Sequence, residues 1–199
     1  MNVIDRKQSQ VFFVDGLGRT GKTFLYRALM STLRNRGKIV LATMSSSIAA
    51  TLLLGGRTAH FRFNLPFDLP PNCICNIKKQ KDLAKLIRVA VAIIWDEDPM
   101  TNIYCLKALD RTLKDILDCD APFGGKVMIM GEDFRQVLPV IQKGSKTQMI
   151  CTRIIMHYLW ANAKVLHLVQ NMRSMNNPEF AQFLMRIGDD VESTNPMIW

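Results

Sequence analysis

The sequence predicts an α/β fold, a parallel sheet covered by helices on both faces. Two observations carry this. Apolar runs of strand length alternate with stretches whose apolar residues recur at helical spacing. The first junction between them sets Val11-Phe12-Phe13-Val14 before Gly16-Leu17-Gly18-Arg19-Thr20-Gly21-Lys22-Thr23 and a helical pattern. A strand that feeds a helix through such a turn is the local signature of a P-loop nucleotide-binding sheet.

The remaining elements follow in order. Phe24 to Arg36 carries Leu25, Ala28, Leu29 and Leu33 as a helical stripe, and Gly37 stops it. Lys38 to Thr43 reads as a short buried strand. Ser45 to Leu54 reads as a helix capped by serines and ended by Gly55-Gly56. Pro66, Pro70 and Pro71 mark 57–78 as a long loop, a kind of segment that is usually functional. Gln80 to Ala90 is a helix with Lys81, Lys85 and Arg88 on a basic face. Val91 to Trp95 is a buried strand that runs into Asp96-Glu97. Ile103 to Leu117 is helical, with Leu106, Leu109, Leu113 and Ile116 on one side. Lys126 to Met130 and Lys164 to Val169 are further core strands, and Pro178 opens a last helix through Ile187.

The length of 199 residues suits one domain, and 48% hydrophobic residues suffice for a packed core. The net charge of +9 suits a polyanionic partner such as nucleic acid, although a basic domain without one reads the same. Five cysteines, odd in number and irregular in spacing, read as free thiols. Cys73-Ile74-Cys75 below His60 is a poor zinc pattern. No apolar run reaches the roughly 18–20 residues that span a bilayer. Met1 to Gln10 is polar and lacks the pattern of a signal or transit segment, which fits cytosol or nucleus.

Gly16, Gly18, Thr20, Gly21, Lys22 and Thr23 form the candidate phosphate-binding set. Glycines let successive N–H groups turn inward around phosphate oxygens, and the helix that follows adds its positive end. Lys22 reaches the β- and γ-phosphates, and the Thr23 hydroxyl ligates Mg²⁺. A chance match on a glycine-rich turn is the competing reading, against which the strand and helix on either side argue. In such sheets a second acidic site closes a neighbouring strand. Asp96 fits the metal-holding role and Glu97 the role of base toward water. The plain alternative is an acidic strand end. Gln136, after Met130, is placed to sense a γ-phosphate, and Arg173, after Val169, to stabilise charge on the transferring phosphoryl group. On physical chemistry alone, both compete evenly with solvated surface residues.

Gly16 to Thr23, Trp95-Asp96-Glu97 with Pro99-Met100, Asp133-Phe134-Arg135-Gln136-Val137-Leu138-Pro139-Val140 and Gln170-Asn171-Met172-Arg173 together resemble the PIF-type DNA helicases. These are ATP-dependent 5′-to-3′ enzymes of superfamily 1 that include the helicase part of Helitron transposons. The resemblance runs from about Val11 to Gly188, and the Asp133 to Val140 run is specific to the group. It implies a RecA-like first motor domain over 11–188. Residues 1–10 would be an N-terminal extension, and 189–199 a tail before a second motor domain. It also implies ATP as substrate, Mg²⁺ as cofactor and single-stranded DNA as partner, with no membrane. Lys22, Glu97, Gln136 and Arg173 would be catalytic, the last as an arginine finger. Thr23 and Asp96 would hold the metal.

Ser45 to Ala50 and Gly56 to His60 match segments where the family meets single-stranded DNA, which makes Thr58 and His60 the candidate contacts. Phe61 or Phe63 could stack on a base, and core burial is the rival reading for both. DNA repair, recombination and telomere maintenance are the implied processes. The nucleus is the implied compartment, or the mitochondrion given a targeting segment outside this sequence. The rival in another class is a transposon-derived remnant that folds and binds DNA passively without turnover.

The chain departs from the family pattern. Leu17 and Arg19 stand for Pro and Gly, Ser47 for Gly, Asp98 for a small residue and Glu132 for Gly. Asp98 and Glu132 add negative charge where phosphates would sit, and Arg19 could offset it.

Overall fold

The computed structural model describes residues 9–16, 20–66, 69–96, 103–132, 158–161 and 163–170. Six strands form one sheet: β1 Val11–Gly16, β2 Ile39–Met44, β3 Arg57–Thr58, β4 Ala90–Asp96, β5 Val127–Glu132 and β6 Ala163–Leu168. Their order is β3-β2-β4-β5-β1-β6 and every pairing is parallel. The helices are α1 Lys22–Asn35, α2 Ser47–Ala50, α3 Ala59–Phe63, α4 Asp82–Val89, α5 Ile103–Leu117 and α6 Tyr158–Ala161. The α/β reading and its parallel sheet are therefore borne out.

The central strands are apolar at nearly every position because both faces are covered. Ile93 and Trp95 of β4 face one core, with Phe13, Leu41, Met128 and Met130 beside them, under α3, α4 and α5. Ala92 and Ile94 face the other core, with Val14, Val40, Ala42 and Met44, under α1 and α2. Trp95 stacks on Phe63 with ring centroids 6.0 Å apart, a pairing worth about 1 kcal/mol beyond its area. Phe63 is thus core, while Phe61 is 67% exposed.

Three elements differ from the sequence reading. Of the stripe expected on α1, Leu33 is buried and Leu25 and Leu29 pack partly buried against the core, but Ala28 is exposed, and Tyr26 and Met30 supply the rest of the buried face. Tyr26, Met30 and Leu33 also satisfy the i, i+4, i+7 spacing. The helix expected over Ser45 to Leu54 is only Ser47–Ala50. Ser46 caps it by accepting from the Ala49 amide at 3.1 Å. The chain then tightens. Thr51 and Leu52 donate to carbonyls three residues back, while Arg27 takes the Leu52 carbonyl at 2.7 Å and Arg34 takes that of Leu54 at 2.9 Å. Those carbonyls are satisfied from outside, so the helix gains nothing by continuing.

The third difference is the presumed loop 57–78, which begins with β3 and α3. Thr58 pairs beside Met44 and caps α3, and Asn64 ends it in the left-handed conformation at φ 48°. The prolines lie beyond this point. The irregular stretch after them is tied to α5: Arg111 donates to the carbonyls of Pro71 and Cys73 at 2.9 and 3.1 Å, and Thr112 accepts from the Cys75 amide at 2.9 Å. The helix expected from Pro178 lies outside the described residues. No described helix is long and apolar enough to cross a membrane.

Candidate nucleotide and DNA site

In an open parallel sheet, ligands sit beyond the carboxyl ends of the strands. Along that rim the order is Thr58 on β3, Met44 on β2, Asp96 on β4, Gly131 near the end of β5, Gly16 on β1 and Leu168 on β6.

Gly16 closes β1 opposite Leu168. A β-carbon there would meet the Thr20 hydroxyl and come within 3.1 Å of Leu168 Cβ, so only glycine lets the turn fold back this closely. Thr20 is buried. Gly21 opens α1 at φ 88° and ψ 18°, a left-handed conformation that costs a side-chain-bearing residue about 1–2 kcal/mol. Lys22 sends its Nζ back to donate to the Gly16 carbonyl. The ammonium therefore sits at the carboxyl end of β1, and Thr23 lies in the first turn of α1. Gly18 lies outside the described residues, as do Leu17 and Arg19.

Asp96 is the last residue of β4 and is 7% exposed. Its register neighbours are Met44 and Gly131. A β-carbon on Gly131 would fall 2.9 Å from Asp96 Oδ1 and onto the hydroxyl of Tyr26. The bare glycine thus opens one gap that takes both the carboxylate and the phenol. Tyr26 stands three residues after Thr23, on the same face of α1. Tyr26 and Gly131 were missed by the sequence reading. Beside them, Asp15 pairs with His167 across β1 and β6, Oδ2 to Nδ1 at 3.0 Å. Glu97, Asp98, Gln136 and Arg173 lie outside the described residues, and of Glu132 only the backbone is described.

A divalent cation at this point would be held by oxygen donors, the Thr23 hydroxyl and the buried Asp96 carboxylate. The described residues hold no cluster of three or more His, Cys, Asp or Glu. Two protein oxygens, with phosphate and water completing the shell, is the donor set that suits Mg²⁺. The residues present fit.

The DNA candidates occupy the other end of the rim. The Thr58 hydroxyl accepts from the Phe61 amide at 3.4 Å as the cap of α3. His60 is half-buried on α3. Ser46 is engaged as the α2 cap, and Ser47 is exposed.

The model of the PIF1-like helicase family matches residues 1–195. The ATP-dependent DNA helicase Pif1 of Psychrobacter is 27% identical over 85% of this chain and 26% of its own length. The ATP-dependent DNA helicase RRM3 of Saccharomyces cerevisiae is 30% identical over 72% of this chain and 20% of its own. A Bacteroides Pif1 helicase crystallised with ADP-AlF3 and ssDNA superposes with a TM-score of 0.78 at 26% identity, covering 97% of this chain and 45% of that one. The chain thus spans 26% and 20% of these two curated relatives and under half of that solved one. The shared architecture is the RecA-like sheet. With the family model matching nearly its whole length, this chain belongs to the PIF1-like helicase family.

Proposed function

We propose that this chain is the first motor domain of an ATP-dependent DNA helicase that moves 5′-to-3′ on single-stranded DNA. The motor domain spans 11–188, flanked by 1–10 and 189–199. The observation that carries the reading is that Lys22 and Thr23, which open α1 after the left-handed Gly21, and the buried Asp96, which ends β4, lie along the same carboxyl rim of the sheet. Lys22 exchanges the Gly16 carbonyl for β- and γ-phosphate oxygens. Thr23 and Asp96 would hold Mg²⁺, which when bound neutralises charge on the phosphates. Glu97 takes a proton from the attacking water, Gln136 contacts the γ-phosphate and Arg173 balances the charge that develops. Gly16, Gly18 and Thr20 shape the loop.

Thr58 and His60 contact DNA on the far side of Asp96, so nucleotide and strand share one rim. The relatives named ATP-dependent DNA helicases support this assignment. Work in DNA repair, recombination and telomere maintenance, in the nucleus or mitochondrion, goes with it.

Calorimetry with Mg·ATP tests the reading. Charge-assisted contacts of Lys22 are worth about 1.5–3 kcal/mol, so Lys22→Ala weakens binding by roughly tenfold or more. Single-stranded DNA then stimulates phosphate release by the wild-type chain. Salt-sensitive DNA binding with no nucleotide dependence and no turnover would instead identify a transposon-derived remnant.

A further inference from the structure

The basic excess of this chain is not spread evenly. From Gly16 to Lys81 there are eleven lysines and arginines and one acidic residue, Asp68, so this stretch carries a net +10 while the rest of the chain is close to neutral. Within it, Arg27, Arg34 and Arg62 direct their guanidinium groups to backbone carbonyls of Leu52, Leu54 and Gly55. Arg57 does something else: its guanidinium carbon lies 5.1 Å from the centroid of the Phe61 ring. Among the described residues, no carboxylate pairs with it.

The local structure explains the pairing. Thr58 caps α3, and Ala59 and Phe63, four residues apart, bury the inner face of that short helix. Phe61, midway between them, must point outward, and it is 67% exposed. Arg57, four residues earlier at the end of the sheet, reaches the ring from one side. A large aromatic held out in water beside a cation, in the most basic part of the chain, matches what unpaired nucleotides require. Every base has a face to stack, and every linkage carries a negative charge.

We propose that Arg57 and Phe61 form a subsite for one nucleotide of single-stranded DNA. A base stacks on the ring face turned away from Arg57, and the guanidinium holds the neighbouring phosphate. The subsite rests on the single-stranded DNA reading above and adds base stacking to it. It takes any base, because stacking reads no hydrogen-bond pattern.

The test is fluorescence anisotropy of the whole chain with labelled oligothymidylate and with the same strand made abasic. Phe61→Ala weakens binding to oligothymidylate about tenfold and leaves binding to the abasic strand unchanged. Phe61→Trp retains affinity and gains a fluorescence quench on binding that the wild-type tryptophans do not show. Arg57→Ala lowers the slope of log affinity against log salt by about 0.7, the share of one phosphate on a single strand. Melting temperatures stay close to wild type, since both side chains are exposed. Binding to oligothymidylate that Phe61→Ala leaves unchanged overturns the subsite alone and frees the ring for a protein partner. Equal loss on both strands also overturns it, because the base is then not what Phe61 holds. If the wild-type chain binds neither strand, the DNA reading and the subsite fall together.

Discussion

Tyr26 and Gly131 share one space: the phenol oxygen of α1 occupies the position that a β-carbon on β5 would take. Asp96 Oδ1 borders the same gap at 2.9 Å from that position. The contact fits α1 closely against β5 beside Asp96. The helix that begins with Lys22 cannot slide along the sheet without this fit being lost.

Gly131→Ala therefore forces Tyr26 out of place. Overpacking of this kind costs about 1–3 kcal/mol, read as a lower urea midpoint. Tyr26→Phe removes the overlapping oxygen, so alanine at 131 costs less in the Tyr26→Phe background than in wild type. Equal costs in the two backgrounds would show that the residues are not coupled.

Local signals made much of this legible. The spacing of Gly16, Gly21 and Lys22 is set within eight residues, and Asp96 follows an unbroken apolar run that only a doubly covered strand tolerates. The fit of Tyr26 to Gly131 and the Asp15–His167 pair were not legible, because each depends on which strands become neighbours. The Gly131 gap needs β5 to lie between β4 and β1, and the Asp15–His167 pair needs β6 to close the edge. The helix α3 was hidden for another reason. Proline spacing dominated the reading of 57–78, although Thr58 and Asn64 stood at capping distance all along.

Burial in the core below α5 pushes the Cys75 thiol up to about 12, from an ordinary value of 9.0. Between these values the unfolded chain has released the proton and the folded chain keeps it. Stability therefore falls as pH rises above about 9, and the group contributes nothing to pH dependence near neutrality. Urea melts at pH 8 and pH 10 check this: the loss between them is smaller in Cys75→Ala than in wild type. Iodoacetamide at pH 8 labels the half-buried Cys73 and Cys119 before Cys75. Early labelling of Cys75 in the folded chain would contradict its burial.

Arg62 holds the segment between α2 and β3 by donating to the carbonyls of Gly55 and, at 3.2 Å, Ala42. Its pKa is lowered by burial first, and then by the charges of Arg57 and Arg34. The same side chain thus makes two favourable hydrogen bonds and two unfavourable charge contacts. Arg62→Ala removes both. Losing the hydrogen bonds costs about 1–3 kcal/mol, and relief of the repulsion returns part of it. Salt screens charge contacts more than hydrogen bonds. The net cost of Arg62→Ala in urea melts therefore grows between 50 mM and 500 mM salt, on the order of a few tenths of a kcal/mol. Limited proteolysis also cuts the variant sooner around Leu54-Gly55, where the carbonyl has lost its donor. A cost that shrinks with salt would mean that Arg62 acts through an attractive ion pair.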